Sequence, residues 1–211
     1  MKIVLSLGGN ALQSNPKDKT SKAQLDTCKE TAKSIVDLIE EGHTISIVHG
    51  NGPQVGQIVA TVEDAMKQNE ANVLFPFDVC GSFSQGYIGY HLQNAISEEL
   101  TRRNINKPVA TIITQVVVDK DDKGFENPTK PIGSFYSKEE AEKLEKEQGY
   151  VMKEDAGRGY RRVVASPKPI DVIEKNIIKY LVDSDNIVIS CGGGGIPVVK
   201  EGLEVKGVAA V

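Results

Sequence analysis

The sequence predicts an α/β protein: a mainly parallel sheet covered by helices, with a small subdomain projecting from it. Three observations carry that expectation. Residues 1 to 50 read as strand, helix, strand, the alternation that builds a parallel sheet. Three apolar, strand-like runs each end on glycine, at Gly8-Gly9, at Gly50-Asn51-Gly52 and at Gly192 to Gly195. Between Asp119 and Ala165 the chain turns charged and glycine-rich, with only short apolar runs. A chain of 211 residues can bury one full core, so 1–211 reads as a single domain carrying 119–165 as a protruding insert.

Composition excludes several function classes. A net charge of −4 gives no reason to expect nucleic acid as a partner. No apolar stretch approaches membrane-spanning length, and the N-terminus enters a strand without a signal-peptide pattern. Cys28, Cys80 and Cys191 are widely spaced and odd in number, which suits neither a disulfide framework nor a zinc site. They read as packing residues in a reducing, cytoplasmic setting.

The first strand is Lys2 to Leu7, and polar residues from Gln13 to Thr20 form a loop after Gly8-Gly9-Asn10-Ala11-Leu12. A helix is expected over Ser21 to Glu41, with Leu25, Cys28, Ala32, Ile35, Val36 and Ile39 on one stripe. Gly42 ends it as a C-cap. The β-branched run Thr44 to Val48 is a buried strand that stops at His49. Parallel strands direct their carboxyl ends toward ligands, so the glycine turns after Leu7 and His49 should share one rim. Pro53 then takes a first-turn position, where its missing N–H costs nothing. The following helix has unpaired N–H groups and a dipole that both favour an anion, and glycine lets a phosphate approach the backbone.

That helix runs from Gln54 to about Gln68 on Val55, Ile58, Val59, Val62, Ala65 and Met66. Phe75 to Gly81 breaks the pattern, and another helix is expected from Ser82 to Arg103. Gly81, Gly86 and Gly89 weaken it by about 1 kcal/mol each if interior, which close approach to a helix, ligand or subunit would explain. Val109 to Val118 reads as one long central strand. In the insert, a helix covers Lys138 to Gln148, and Tyr150–Lys153 and Arg161–Val164 are short strands; a lid or flap is the expected role. A helix from Ile170 to Asp183, a strand from Asn186 to Cys191 and a hairpin over Val198 to Val205 complete the order.

One glycine turn is weak as a signal, whereas three in one small α/β chain point to a phosphate-binding rim. Lys130 lies between Pro128 and Pro131 in Asn127-Pro128-Thr129-Lys130-Pro131-Ile132-Gly133. A lysine on a stiffened backbone presents a point charge at one place, as phosphate chemistry needs. Arg158, Arg161 and Arg162 either do likewise or form a surface basic cluster. His43 and His91 read as structural, while His49 ends a strand beside a glycine turn. There is no P-loop and no G-x-S-x-G, H-E-x-x-H or EF-hand motif, and Gly50-x-Gly52-x-x-x-Gly56 has the wrong spacing for a dinucleotide fingerprint.

Together the blocks Leu7 to Leu12, His49 to Gly56, Cys80 to Gly86, Asn127 to Gly133, Glu154 to Gly159 and Gly192 to Gly195 resemble carbamate kinase, in the right order and across the whole chain. The resemblance implies the three-layer α/β/α sandwich of the amino-acid kinase fold, with a protruding subdomain. It implies reversible phosphoryl transfer between ATP and carbamate, magnesium and a homodimer. In fermenting cells such an enzyme runs from carbamoyl phosphate and ADP toward ATP, ammonia and carbon dioxide, as in arginine breakdown by the arginine deiminase route. By the same resemblance, Gly8, Gly9 and Asn10 with Gly50, Asn51 and Gly52 hold the phosphoryl group and carbamate. Lys130 reaches the carbamoyl phosphate from the subdomain, and Gly192, Gly193, Gly194 and Gly195 lie near the nucleotide's phosphates. Gly9, Asn10, Gly52 and Lys130 are the residues expected to act in catalysis; no metal ligand is assigned. Carbamate is already an anion, so positioning and charge neutralisation suffice and no base is needed.

Two departures accompany the resemblance. The wider fold carries a lysine on its first strand where this chain has Ser6, a position at which carbamate kinases also lack lysine. The family continues beyond the segment matching Gly207 to Val211 into most of a nucleotide lobe, so the chain is expected to be C-terminally incomplete. Two other readings stand beside the main one: another amino-acid kinase, acting on acetylglutamate, glutamate or a small phosphate, and a non-catalytic module that binds an anion or forms dimers.

Overall fold

The computed structural model describes residues 1–211 except 16, 17, 19, 70–72 and 74, together with the side chains of 10, 67 and 134. Residues 16, 17 and 19 of the loop expected over 13–20 therefore lie outside the described residues. In chain order come β1 (Lys2–Leu7), α1 (Gly9–Leu12), α2 (Ser21–Glu40), β2 (Thr44–His49), α3 (Gly52–Gln68) and α4 (Phe77–Arg102). Next are β3 (Val109–Thr111), β4 (Gln115–Val118), α5 (Lys123–Glu126), β5 (Lys130–Tyr136), α6 (Lys138–Gln148), β6 (Val151–Glu154) and β7 (Tyr160–Val164). Then follow β8 (Pro169–Val172), α7 (Lys175–Asp183), β9 (Ile187–Ser190), β10 (Ile196–Glu201) and β11 (Glu204–Gly207). The chain divides into two compact units.

The first unit comprises Met1–Asn51, Gln85–Gln115 and Val172–Gly195. Its sheet has the order β1-β2-β9-β3, and every pairing is parallel. Ile45, Ile47, Ile187 and Ile189 point from the sheet into one core with Val36 of α2 and Leu92 of α4. Each such side chain contributes about 1.5–3 kcal/mol by leaving water. Thr20 caps α2 by accepting from the Ala23 N–H at 3.3 Å, and Gly42 follows its end with φ +85°, as the sequence suggests. On α2 the buried stripe takes Gln24 in place of the expected Leu25. The Gln24 amide is kept there because Tyr87 Oη donates to its Oε1 at 3.0 Å.

Helix α4 starts at Phe77, five residues before the expected Ser82, which makes Gly81, Gly86 and Gly89 interior. Gly89 has a steric reason: a β-carbon there would lie 2.2 Å from Thr111 Cγ2, so α4 rests against β3 with no room for a side chain. The ten-residue run Val109–Val118 is not one central strand. It splits into β3, at the edge of the parallel sheet, and β4, which belongs to a different sheet. At the break, Thr114 gives its N–H to Gln85 Oε1 (2.8 Å) and its hydroxyl to the Ile112 carbonyl (2.8 Å). Side chains have taken the backbone groups that a continuous ladder would have used.

The second unit comprises Gly52–Ser84, Val116–Asp171 and Ile196–Val211. It holds an antiparallel sheet of order β5-β7-β6, and most of a sheet of order β11-β10-β4-β8. Its own core gathers Val55, Val59, Phe77, Cys80, Ile132 and Val164. Helix α6 begins with a reciprocal capping box, Ser137 to the Glu140 N–H and Glu140 to the Ser137 N–H. The hairpin β10–β11 pairs Val198 with Gly207 and Glu201 with Glu204. The helix expected from Ile170 begins only at Lys175, because Pro169–Val172 is the strand β8. The Ile173 N–H carries on strand-type bonding to the Gln115 carbonyl at 3.0 Å, which postpones the helix.

Candidate functional site

In the first unit the parallel register brings three strand ends to one rim. Leu7 pairs with His49, and Val48 with Ser190. The residues that follow are Gly8, Gly50 and, after Cys191, Gly192. The Gly50 N–H donates to the Leu7 carbonyl at 3.0 Å, which ties the first two turns together. Gly8 precedes the single turn α1, whose backbone includes Gly9 and Asn10; the Asn10 side chain lies outside the described residues.

The third turn is built by close packing. Cys191 has φ +49°, Gly192–Gly194 form a 3-10 turn, and Gly193 has φ +65°. A β-carbon on Gly192 would lie 2.7 Å from His49 Cε1 and Nε2, and one on Gly193 would lie 2.3 Å from Asn51 Nδ2. His49 and Asn51 therefore lie directly on the glycine run, and each glycine is required by what faces it. Beneath the turn, Gln85 Nε2 donates to the carbonyls of Gly192 (2.9 Å) and Thr114 (3.1 Å). Thr114 Oγ1 in turn accepts the Cys191 N–H at 3.0 Å. Gln85 and Thr114 thus hold the rim from below. The sequence reading missed both, although Gln85 stands on the α4 stripe of Ile88 and Leu92, where a polar residue is out of place.

His49 is 4 % exposed. Burial lowers its pKa from the ordinary histidine value, and the hydrogen bond of Nδ1 to the Gly50 carbonyl (2.8 Å) opposes that shift. The bond makes Nδ1 the donor of a neutral ring. Burial also raises the Cys191 thiol pKa, so this cysteine stays protonated.

Gly52 and Lys130 belong to the second unit. Gly52 opens α3, with Pro53 behind it in the first turn. Lys130 opens β5, opposite Val164 of β7, and is exposed. Among the described residues no carboxylate pairs with its ammonium, so its charge is available to a ligand. The basic cluster is engaged instead. Arg161 pairs with Asp155 (3.2 Å), and Arg162 pairs with Glu63 (3.2 Å) while its guanidinium lies 3.6 Å from the Tyr150 ring centroid.

The sequence profile of the amino acid kinase family matches residues 1–207. The chain belongs to the amino acid kinase family. Among family members, it is 69 % identical over 211 residues to the carbamate kinase of Clostridium perfringens. It is 57 % identical over 210 residues to the carbamate kinase-like protein YqeA of Escherichia coli. All of this chain is matched in both comparisons, against 67 % and 66 % of those relatives, so it spans about two thirds of their length. The carbamate kinase of Giardia lamblia bound to citric acid superposes with a TM-score of 0.92 at 37 % identity, covering 100 % of this chain and 67 % of that one. The same enzyme bound to AMP-PNP gives 0.88, over 100 % of this chain and 66 % of that one. The α/β fold expected from the sequence is therefore the amino acid kinase fold, and within the family the likeness is to carbamate kinases.

Proposed function

We propose that this protein acts as a carbamate kinase, moving a phosphoryl group reversibly between ATP and carbamate. The observation that carries the reading is 69 % identity across the whole chain to the Clostridium perfringens enzyme. The rim of glycine turns supports it: backbone N–H groups with no β-carbons around them suit an oxyanion that must be approached closely. Gly8, Gly9, Asn10, Gly50, Asn51 and Gly52 hold the carbamate and the phosphoryl group in this reading. Gly192 to Gly195 face the nucleotide's phosphates, and Lys130 supplies the cation.

Carbamate needs no deprotonation, so the residues' work is to align the oxygen and phosphorus atoms and to offset charge. The absence of a general base from the assignment follows from that chemistry. His49, held neutral with Nδ1 committed to Gly50, helps to shape the turn rather than to move protons. Magnesium travels with the nucleotide's phosphates in this reading. Among the described residues no cluster of three or more His, Cys, Asp or Glu side chains could hold a metal ion, and none is assigned to it. The physiological direction is ATP formation from carbamoyl phosphate and ADP in arginine breakdown, by a cytoplasmic homodimer.

The test is ATP formation on mixing the protein with carbamoyl phosphate and magnesium ADP, with acetylglutamate and glutamate as alternative acceptors in the reverse direction. Transfer with carbamoyl phosphate and not with the alternative acceptors is the outcome that the carbamate reading requires. Lys130→Ala should lower turnover by about a hundredfold or more, the loss seen when one charge-stabilising group leaves a transition state. Unchanged kinetics would remove Lys130 from the site.

A further inference from the structure

We propose that the backbone contact between Gly56 and Gly133 is a positioning device for Lys130. It sets the strand carrying the lysine against the first turns of α3. The inference rests on the kinase reading for the role of Lys130 and adds residues that act through it.

The contact lies wholly within the second unit. Gly56 lies one helical turn after Gly52, where α3 begins. A β-carbon on Gly56 would lie 2.2 Å from Gly133 Cα and 2.4 Å from Gly133 N, so helix and strand touch backbone to backbone. Gly133 is glycine for a separate reason, its φ of +70°. It falls where the pairing of β5 with β7 shifts register, between Ile132 and Tyr136. Such a bulge bends its strand, and here it brings the β5 backbone against α3.

The bulge is held from the other side as well. Arg161 Nη2 donates to the Gly133 carbonyl at 3.1 Å, and its Nη1 pairs with Asp155 at 3.2 Å. The Phe135 ring lies 5.2 Å from the same guanidinium. Lys130, Pro131 and Ile132 stay in register with β7, and Ile132 is 2 % exposed in the core with Val55 and Val59. The lysine thus lies three residues from a point locked to α3 and on a stretch locked to β7. Its ammonium is free to meet a ligand while its backbone is not free to drift. In phosphoryl transfer a displacement of about 1 Å can lower the rate about a hundredfold, so this rigidity has a catalytic consequence.

Gly56→Ala tests the idea. Alanine favours the helix, so a loss cannot come from weakening α3 itself. Its methyl group must push β5 and Lys130 away. The expected result is about a hundredfold lower turnover with an unchanged KM for ADP, in a protein that still unfolds cooperatively. Made on top of Lys130→Ala, the same change should have no further effect on turnover. Arg161→Met should lower turnover in the same way, with Arg161→Lys recovering part of it. A Gly56→Ala effect that multiplies with that of Lys130→Ala, or that is absent while Lys130→Ala is impaired, overturns the positioning role. If Lys130→Ala itself is unimpaired, the kinase reading beneath it fails and the inference goes with it.

Discussion

Gly192 marks how little room the third glycine turn has. Its missing β-carbon would sit 2.7 Å from the His49 ring and 2.9 Å from Gln85 Cγ, and both side chains are buried. Gly192→Ala therefore overpacks the rim, and a loss of about 1–3 kcal/mol in urea unfolding is expected. A fully stable alanine variant would mean that His49 swings away freely. The same ring gives the molecule an acid-sensitive point. Burial lowers its pKa, so the unfolded chain takes up a proton at higher pH than the folded chain does. Stability from keeping the ring neutral is complete above about pH 6.5 and is lost as the pH falls below that value. His91 is shifted in the same direction by burial, so His49→Gln should remove part of this acid limb rather than all of it. The measurement is the unfolding free energy as a function of pH, and a slope below pH 6.5 identical to that of the unaltered protein would exclude His49 as a contributor.

Elements whose hydrophobic period agrees with their environment are legible in the sequence. The strands β1 and β2 and the helix α2 read correctly because one more buried face imposes one period on the sequence, and β9 because burial along its whole length leaves a continuous apolar run. The glycines that end these three strands are legible as well, and so is the rim they share. What could not be read was the effect of long-range side-chain bonds on an otherwise uniform apolar run. Nothing within Val109–Val118 announces that Gln85, far away in sequence, will capture the backbone of Thr114 and split the run into β3 and β4. Likewise Ile170–Val172 reads as helical because its apolar residues run into those of α7. Thr114→Val tests the importance of such a bond. It keeps the shape but removes the hydroxyl that donates to Ile112 and accepts from Cys191, leaving buried groups unpaired. A loss of about 1–3 kcal/mol is expected, with faster hydrogen exchange at the Cys191 amide. Unchanged exchange there would show that Thr114 does not hold the turn.

At the scale of the whole molecule, two cores share one continuous helix. Phe77–Ser84 of α4 count with the second unit and Gln85–Arg102 with the first. Gly86 therefore sits in the helix just past that division. It is exposed, and a β-carbon added to it would meet nothing within 4 Å among the described residues. Unlike Gly89, it has no steric reason among the described residues to be glycine, and it weakens α4. Gly86→Ala should stabilise the isolated chain by roughly 0.5–1 kcal/mol through helix propensity alone. The stabilisation should appear in urea unfolding followed by probes in either unit, because a stiffer α4 serves both. Protein concentration separates this outcome from its rival. A gain at dilution that turns into a loss as concentration rises would place the backbone of a second copy against Gly86, as a homodimer packed along α4 requires. A gain of the same size at every concentration would leave that face of α4 outside any dimer interface.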